Sequence, residues 1–99
     1  MRKYEIIFII KPLEEEATNA VIEKFEKLIA ANGGKIEKED RWGKKRLAYE
    51  IKKEAEGFYV IFYVVCEPAC VDECDRVMKI TEEILKHMIV RSDEKEAKE

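Results

Sequence analysis

Residues 57–66 read GFYVIFYVVC, and the nine residues from Phe58 to Cys66 are the longest apolar run of the chain. Aromatic and β-branched side chains fill both alternating sets of positions, which is typical of a strand that is apolar on both faces. The run is also far shorter than the roughly 18–20 apolar residues that a membrane-spanning helix needs. It therefore predicts a central strand of a globular sheet.

A second strand of similar composition begins the chain. Its residues alternate between two sets, with Tyr4, Ile6, Phe8 and Ile10 on one side and Lys3, Glu5, Ile7 and Ile9 on the other. The segment Lys11-Pro12-Leu13 then breaks the strand, because proline cannot donate a ladder hydrogen bond. Since these two strands are the most apolar of the chain, we predict that both are central in the sheet.

Two further segments show the periodicity of amphipathic helices. The first helix starts at Glu14-Glu15-Glu16, where carboxylates favour the positive end of the helix dipole, and ends at Asn32-Gly33-Gly34. Pro68 opens the second helix. The apolar stripes are Val21, Phe25, Leu28 and Ile29 in the first helix, and Cys70 or Val71, Cys74, Val77 and Met78 in the second.

The remaining two strands carry more charge. Residues 35–53 are mostly charged, and we predict that they form a strand with a bulge or bend at Gly43. The segment Glu54-Ala55-Glu56-Gly57 predicts the turn into the next strand, and Leu85 to Arg91 predicts the last strand. Charges of this kind are typical of protected sheet edges.

The predicted fold is α+β, with element order βαββαβ and a four-stranded antiparallel sheet. Two helices of this length cover only one face of the sheet, and right-handed crossovers give the strand order 4-1-3-2. The opposite face would display an apolar patch, which is typical of a site for a partner protein. Its candidate residues are Ile7, Ile9, Tyr59, Ile61, Tyr63 and Val65. The alternative is that several of these residues belong to the core.

The charge of the chain is unevenly distributed along it. The formal charge of −3 argues against a protein that binds nucleic acid by overall basicity alone. Residues 92–99 hold four acids and two lysines, and we expect them to form a disordered tail. Residues 1–91 hold 17 basic and 18 acidic groups, and we expect them to form a single domain. No signal-peptide pattern or disulfide framework is present, so the expected location is the cytoplasm.

No group of residues predicts catalysis. A Gly-rich phosphate loop is absent after the first strand, and no nucleophile has a base near it in sequence. The sole histidine, His87, is expected to be a packed or half-exposed strand residue. Cys66, Cys70 and Cys74 suggest a metal site only weakly, since no fourth ligand is evident, and buried apolar thiols explain their spacing. We therefore expect no cofactor, metal or small-molecule substrate.

The segment from Arg41 to Arg46 is the one local concentration of positive charge, with four cations in six residues. Cations beside Trp42 at a bend are suited to contacting phosphates while the indole stacks or wedges. The alternative is a solvated edge strand whose lysines discourage sheet-to-sheet aggregation. These residues alone do not decide between the two interpretations.

The segment Gly43-Lys44-Lys45-Arg46-Leu47-Ala48-Tyr49-Glu50-Ile51-Lys52 resembles the signature of a known family, that of the sixth protein of the bacterial small ribosomal subunit. Met1-Arg2-Lys3-Tyr4-Glu5 resembles the start of that family's sequences. The resemblance continues through Gly57-Phe58-Tyr59 and Met88-Ile89-Val90-Arg91-Ser92, so that it covers about residues 1–92.

The resemblance implies a ferredoxin-like domain that binds the central domain of the small-subunit rRNA beside the eighteenth small-subunit protein, in the small ribosomal subunit. It implies no catalytic residues and no cofactor. By position, the candidate rRNA-binding residues are Arg2, Lys3, Arg41, Trp42, Lys44, Lys45, Arg46 and Arg91. The alternative function is a homodimerising interaction or regulatory module without RNA binding. A small enzyme of the same fold is disfavoured because the groups that such chemistry needs are missing.

Overall fold

The computed structural model describes residues 1–92 and gives six elements in the predicted order. They are β1 (Arg2–Ile10), α1 (Glu15–Ala31), β2 (Lys35–Ile51), β3 (Glu54–Cys66), α2 (Pro68–Ile80) and β4 (Ile84–Arg91). The expectation of a disordered tail concerns residues that, apart from Ser92, lie outside this described part of the chain.

The four strands form one antiparallel sheet in the order β2-β3-β1-β4, which is the predicted order read from the other edge. In the centre of the sheet Ile7 lies opposite Ile61 and Phe8 opposite Val60. The prediction of a ferredoxin-like α+β fold with β1 and β3 in the middle is therefore confirmed. The charged strands β2 and β4 form the two edges.

The main core lies between the helices and one face of the sheet. Its centre is Phe8, whose ring packs edge-on against Phe62 at a centroid distance of 5.1 Å and against Phe25 of α1 at 5.8 Å. The predicted helix stripes face this core, and α1 adds Ile22, which is fully buried. Because alternate strand residues point to opposite faces, the even-numbered residues of β1 and β3 fill the core and the odd-numbered residues face away.

The turn between β2 and β3 differs from the prediction. It is formed by Lys52 and Lys53, whose φ angles are +51° and +67°, and not by Glu54 to Gly57. Two residues of positive φ make the tight hairpin turn whose twist suits the flanking strands, and lysine is an uncommon residue there. Gly57 instead lies inside β3, where a Cβ atom would collide with the Cγ2 atom of Ile9.

Strand β2 bends at Gly43, as predicted. Its register against β3 shifts between Arg41 and Gly43, and the φ of Gly43 is +85°. Beyond this bulge the β2–β3 hairpin reaches across the sheet to the opposite edge strand, where Leu47 packs with Ile9 and Leu85. The Lys52 ammonium also donates a hydrogen bond of 3.0 Å to the Ile84 carbonyl oxygen. The hairpin end thus covers part of the face that the helices leave open.

Candidate nucleic-acid and partner interface

The three thiols are buried in the core, and the histidine is hydrogen-bonded to a neighbouring helix. Cys66, Cys70 and Cys74 are all buried, which confirms the prediction of buried thiols, and burial raises the pKa of Cys66 and of Cys74 to about 12. His87 shares a hydrogen bond of 2.7 Å with Asp75 of α2. Over residues 1–92 no cluster of metal-ligand side chains forms, and no helix is long and apolar enough to span a membrane.

The sheet face opposite the helices, which we call the open face, carries all six residues predicted for a partner protein. Its apolar area is smaller than expected, however, since Ile9 is only 7% exposed and Ile61 only 5%. The expectation that all six are displayed is wrong for these two residues, because a second small core of Ile9, Leu47 and Leu85 forms under the hairpin end. Ile7, Tyr59, Tyr63 and Val65 remain half-buried.

Residues of β4 and of the hairpin enlarge the open face. Lys86 and Met88 lie opposite Ile9 and Ile7 of β1, and Met88 is 51% exposed. A shallow depression of about 180 Å³ lies here, lined by Ile7, Ile9, Tyr59, Lys86, His87 and Met88. Sequence reasoning missed the two β4 residues because β4 was assigned as an edge strand without a register. The register of β4 against β1 would have identified Lys86 and Met88 as residues of the open face.

Cations and aromatic rings alternate across the open face. The rings of Trp42 and Tyr59 are stacked, with centroids 6.3 Å apart and planes 11° from parallel. The Nζ atom of Lys38 lies 5.5 Å from the centre of the Tyr63 ring. At the other edge, the Nζ atom of Lys86 lies 5.8 Å from the centre of the Tyr49 ring. Such a surface combines positive charge with rings that can stack, which are the two features that single-stranded nucleic acid requires.

The basic segment of β2 divides between two faces of its strand. Arg41 and Lys44 lie opposite Val60 and Phe58, whose side chains point to the helices. Lys45 lies opposite Gly57, and Trp42 stacks on the open face. The predicted segment is therefore a cationic edge that wraps around the sheet, rather than a patch on one face.

Arg41 differs from the other cations of the segment because it is already paired. Its Nε donates to Glu39 and its Nη1 to Asn19 Oδ1, each at 2.7 Å. Lys44, Lys45 and Arg46 are all exposed, and they form no ion pair with any residue in the part of the chain that the structure describes. Within the basic segment, these three are the cations that remain available to an external anion.

A carboxyl pair lies behind Arg41, between α1 and β2. A hydrogen bond with Glu39, together with burial and the repulsion between the two groups, raises the pKa of Glu26 to about 7. Burial opposes ionisation of Glu39, but hydrogen bonds from Glu26 and Arg41 outweigh it and lower the pKa of Glu39. Below about pH 7 Glu26 therefore holds the proton of the pair, and Glu39 is the carboxylate that forms the ion pair with Arg41.

The other predicted cations lie at the far end of the sheet. Arg2 and Lys3 pair with Cys66 and Val65 at the end of β3, and Arg91 pairs with Tyr4. At the usual rise of about 3.3 Å per residue, the stretch of β3 between the partners of Lys3 and Lys45 spans about 26 Å. The structure thus does not bring the eight candidate residues together, and instead places them in two separate groups.

The net charge of the chain is near neutral, but positive and negative residues are distributed unequally between the helix layer and the sheet layer. The helix-bearing segments, residues 14–31 and 67–83, contain 11 acidic and 4 basic residues, a net charge of −7. The rest of residues 1–92, which supplies the sheet, contains 7 acidic and 13 basic residues, a net charge of +6. A polyanion is therefore attracted to the sheet and repelled by the helices.

Comparison with known proteins matches the whole described fold. The family model described as Ribosomal protein S6 matches residues 3–91. The chain is 50% identical over 95 residues to "Small ribosomal subunit protein bS6" of Desulforamulus reducens, covering 95% of this chain and all of the relative. It is 47% identical over 95 residues to the protein of the same name from Moorella thermoacetica, covering 95% and 97% of the two chains. The structure of 30S ribosomal protein S6 from Thermotoga maritima superposes with a TM-score of 0.87 at 34% identity, covering 99% of this chain and 98% of that one.

Proposed function

The chain belongs to the ribosomal protein S6 family, and from this we propose that it binds the central domain of the small-subunit (16S) rRNA cooperatively with the eighteenth small-subunit protein. Members of this family are structural proteins of the small ribosomal subunit, so the chain is a ribosomal protein and not an enzyme. Its place in the cell is the ribosome, in the cytoplasm.

The charge segregation is the observation that supports RNA binding most strongly. RNA is a polyanion, and affinity for it comes largely from cations that replace condensed counterions. With +6 on the sheet layer and −7 on the helix layer, only one side of this protein can approach RNA favourably. The exposed Lys44, Lys45 and Arg46 are the cations that we assign to phosphate contacts at the β2 edge.

The open face, apart from its β2 edge at Trp42, is the surface that we assign to the partner protein. It offers half-buried apolar side chains, among them Ile7, Tyr63 and Val65, and the exposed Met88 at one edge. This area is modest, and the cations form two groups about 26 Å apart by strand rise, so neither surface alone supports tight binding. A basic partner that contacts both this protein and the RNA supplies the missing area and charge, which is the reason for cooperative binding. The unit that binds is residues 1–91, acting as one domain.

Binding to RNA with and without the partner tests this function. Purified protein is titrated onto a central-domain rRNA fragment at two salt concentrations, in the presence and absence of the eighteenth small-subunit protein. Tight, salt-sensitive binding that depends on the partner is the expected result. If the protein binds in neither case and sediments as a stable dimer, the proposal fails and a homodimerising module takes its place.

A further inference from the structure

Trp42 is the only tryptophan of the chain and is 55% exposed, although it is the largest apolar side chain that the protein possesses. Tryptophan is usually well buried, because exposing its ring to water is costly. Its exposure here is therefore a feature that the fold alone does not account for.

The indole stacks against one neighbouring ring. One face of the ring packs parallel to Tyr59, at a centroid distance of 6.3 Å and an interplanar angle of 11°. The backbone beside it is bent by Gly43, whose φ of +85° is readily adopted only by glycine. Since Tyr59 lies on one side of the ring and Trp42 is 55% exposed, the opposite face of the indole is accessible to a second planar group.

The charges around the indole favour an anionic ligand. Lys44, Lys45 and Arg46 follow Trp42 after the single residue Gly43 and are exposed. On the same face of β2, Asp40 lies two residues before Trp42, and its carboxylate lies 3.7 Å from the Lys38 ammonium, so that the exposed cations after the bulge outnumber the acids. A planar ligand that also carries negative charge suits an aromatic ring beside exposed cations better than an apolar protein segment does.

We propose that the outer face of Trp42 stacks on one unpaired base of the bound RNA, while Lys45, which lies opposite Gly57 on the open-face side of β2, contacts a phosphate that flanks this base. The inference rests on the proposed RNA-binding function and specifies its chemistry. Bases in loops and bulges are free to stack on aromatic side chains, and such stacking tolerates any base because every base has a π-face. The recognised element is therefore a single-stranded or bulged nucleotide at the β2 edge.

Because Trp42 is the sole tryptophan, its ring can be observed separately. Protein labelled with 5-fluorotryptophan gives one fluorine resonance, which is followed on addition of the unlabelled eighteenth protein and then of the central-domain rRNA fragment. We expect a shift of this resonance on addition of RNA.

Two variants test the ring itself. Trp42→Phe, which keeps an aromatic ring, should bind RNA within about twofold of the natural protein, whereas Trp42→Leu should bind roughly 5- to 150-fold more weakly.

The outcomes separate this inference from the proposed function. If the RNA binds but the fluorine resonance does not move, or moves only when the partner protein is added, the stacking inference is wrong and the RNA-binding function stands. Equal affinities of Trp42→Phe and Trp42→Leu, with unchanged circular dichroism, overturn it in the same way. If the natural protein binds no RNA with or without the partner, both fail.

Discussion

The indole of Trp42 lies over the phenol ring of Tyr59, and this contact joins the bulge of the edge strand β2 to the central strand β3. The two planes are 11° from parallel. The contact has two consequences, since it orients the exposed indole at the β2 bulge and extends the small core that Ile9 forms with Leu47 and Leu85.

The first prediction concerns this stack. Tyr59→Leu should lower the free energy of unfolding by about 0.5–1.5 kcal/mol, which is typical of a lost aromatic pair. It should also shift the emission of Trp42 to longer wavelength and increase its quenching by acrylamide, because the side of the indole next to Tyr59 gains contact with water. Tyr63→Leu is the matched control, since Tyr63 lies on the same strand and face but does not stack on Trp42. Equal emission changes in both variants would contradict the account.

The second prediction concerns the carboxyl pair of Glu26 and Glu39. The pKa of Glu26 is raised from 4.5 to about 7 in the folded protein, chiefly by the hydrogen bond with Glu39, so the folded state binds more protons than the unfolded state in this range. Stability should therefore fall as the pH rises from about 4.5 through 7. Glu26→Gln removes this dependence, because an amide donates to Glu39 at every pH. We expect this variant to melt at a higher temperature than the natural protein at pH 8, and at nearly the same temperature at pH 4.5.

Glu16→Gln provides the control for that measurement, since Glu16 is exposed on the same helix. It should leave the pH dependence as it is in the natural protein. A parallel loss of the pH dependence in both variants would show that the general acidity of the helix, and not the pair, is responsible.

The third prediction concerns the turn. Lys53 adopts a φ of +67°, a conformation that costs a residue with a Cβ roughly 1–2 kcal/mol and costs glycine little. Lys53→Gly should therefore raise the free energy of unfolding by about 0.5–1 kcal/mol in urea denaturation. Lys53→Ala keeps the strained backbone and should give no gain. A gain for both variants would mean that the lysine charge, rather than the backbone, sets the cost.

The sequence was sufficient to predict those parts of the fold that depend on local pattern. Alternation in β1 and β3 identified the central strands, helical periodicity identified the buried cysteines of α2, and Gly43 marked the bulge. Each of these features arises from residues that are close together in the chain.

The predictions that proved wrong concern features that depend on contacts between residues distant in sequence. Lys52 and Lys53 carry no turn signal, and their strained turn exists because the strands on either side fix it. Ile9 is covered only because the hairpin carries Leu47 across the sheet. The segregation of charge between helices and sheet was present in the sequence, but it emerges only when the residues are counted by structural layer.

In the proposed complex the sheet side, and not the helix side, faces the RNA. Two triple variants that remove the same charge test this orientation, with all measurements made in the presence of the eighteenth small-subunit protein. One is Lys44→Ala, Lys45→Ala and Arg46→Ala at the β2 edge. The other is Lys27→Ala, Arg76→Ala and Lys79→Ala on the helix layer, where each cation lies within an ion pair.

The measurement is the slope of log affinity for the central-domain rRNA fragment against log salt concentration. We predict that the sheet variant loses affinity and that its slope becomes shallower by about 2–3, since each phosphate contact contributes roughly one unit. The helix variant should keep the natural slope. Equal slopes for the two triple variants, whether both changed or both unchanged, would contradict the account.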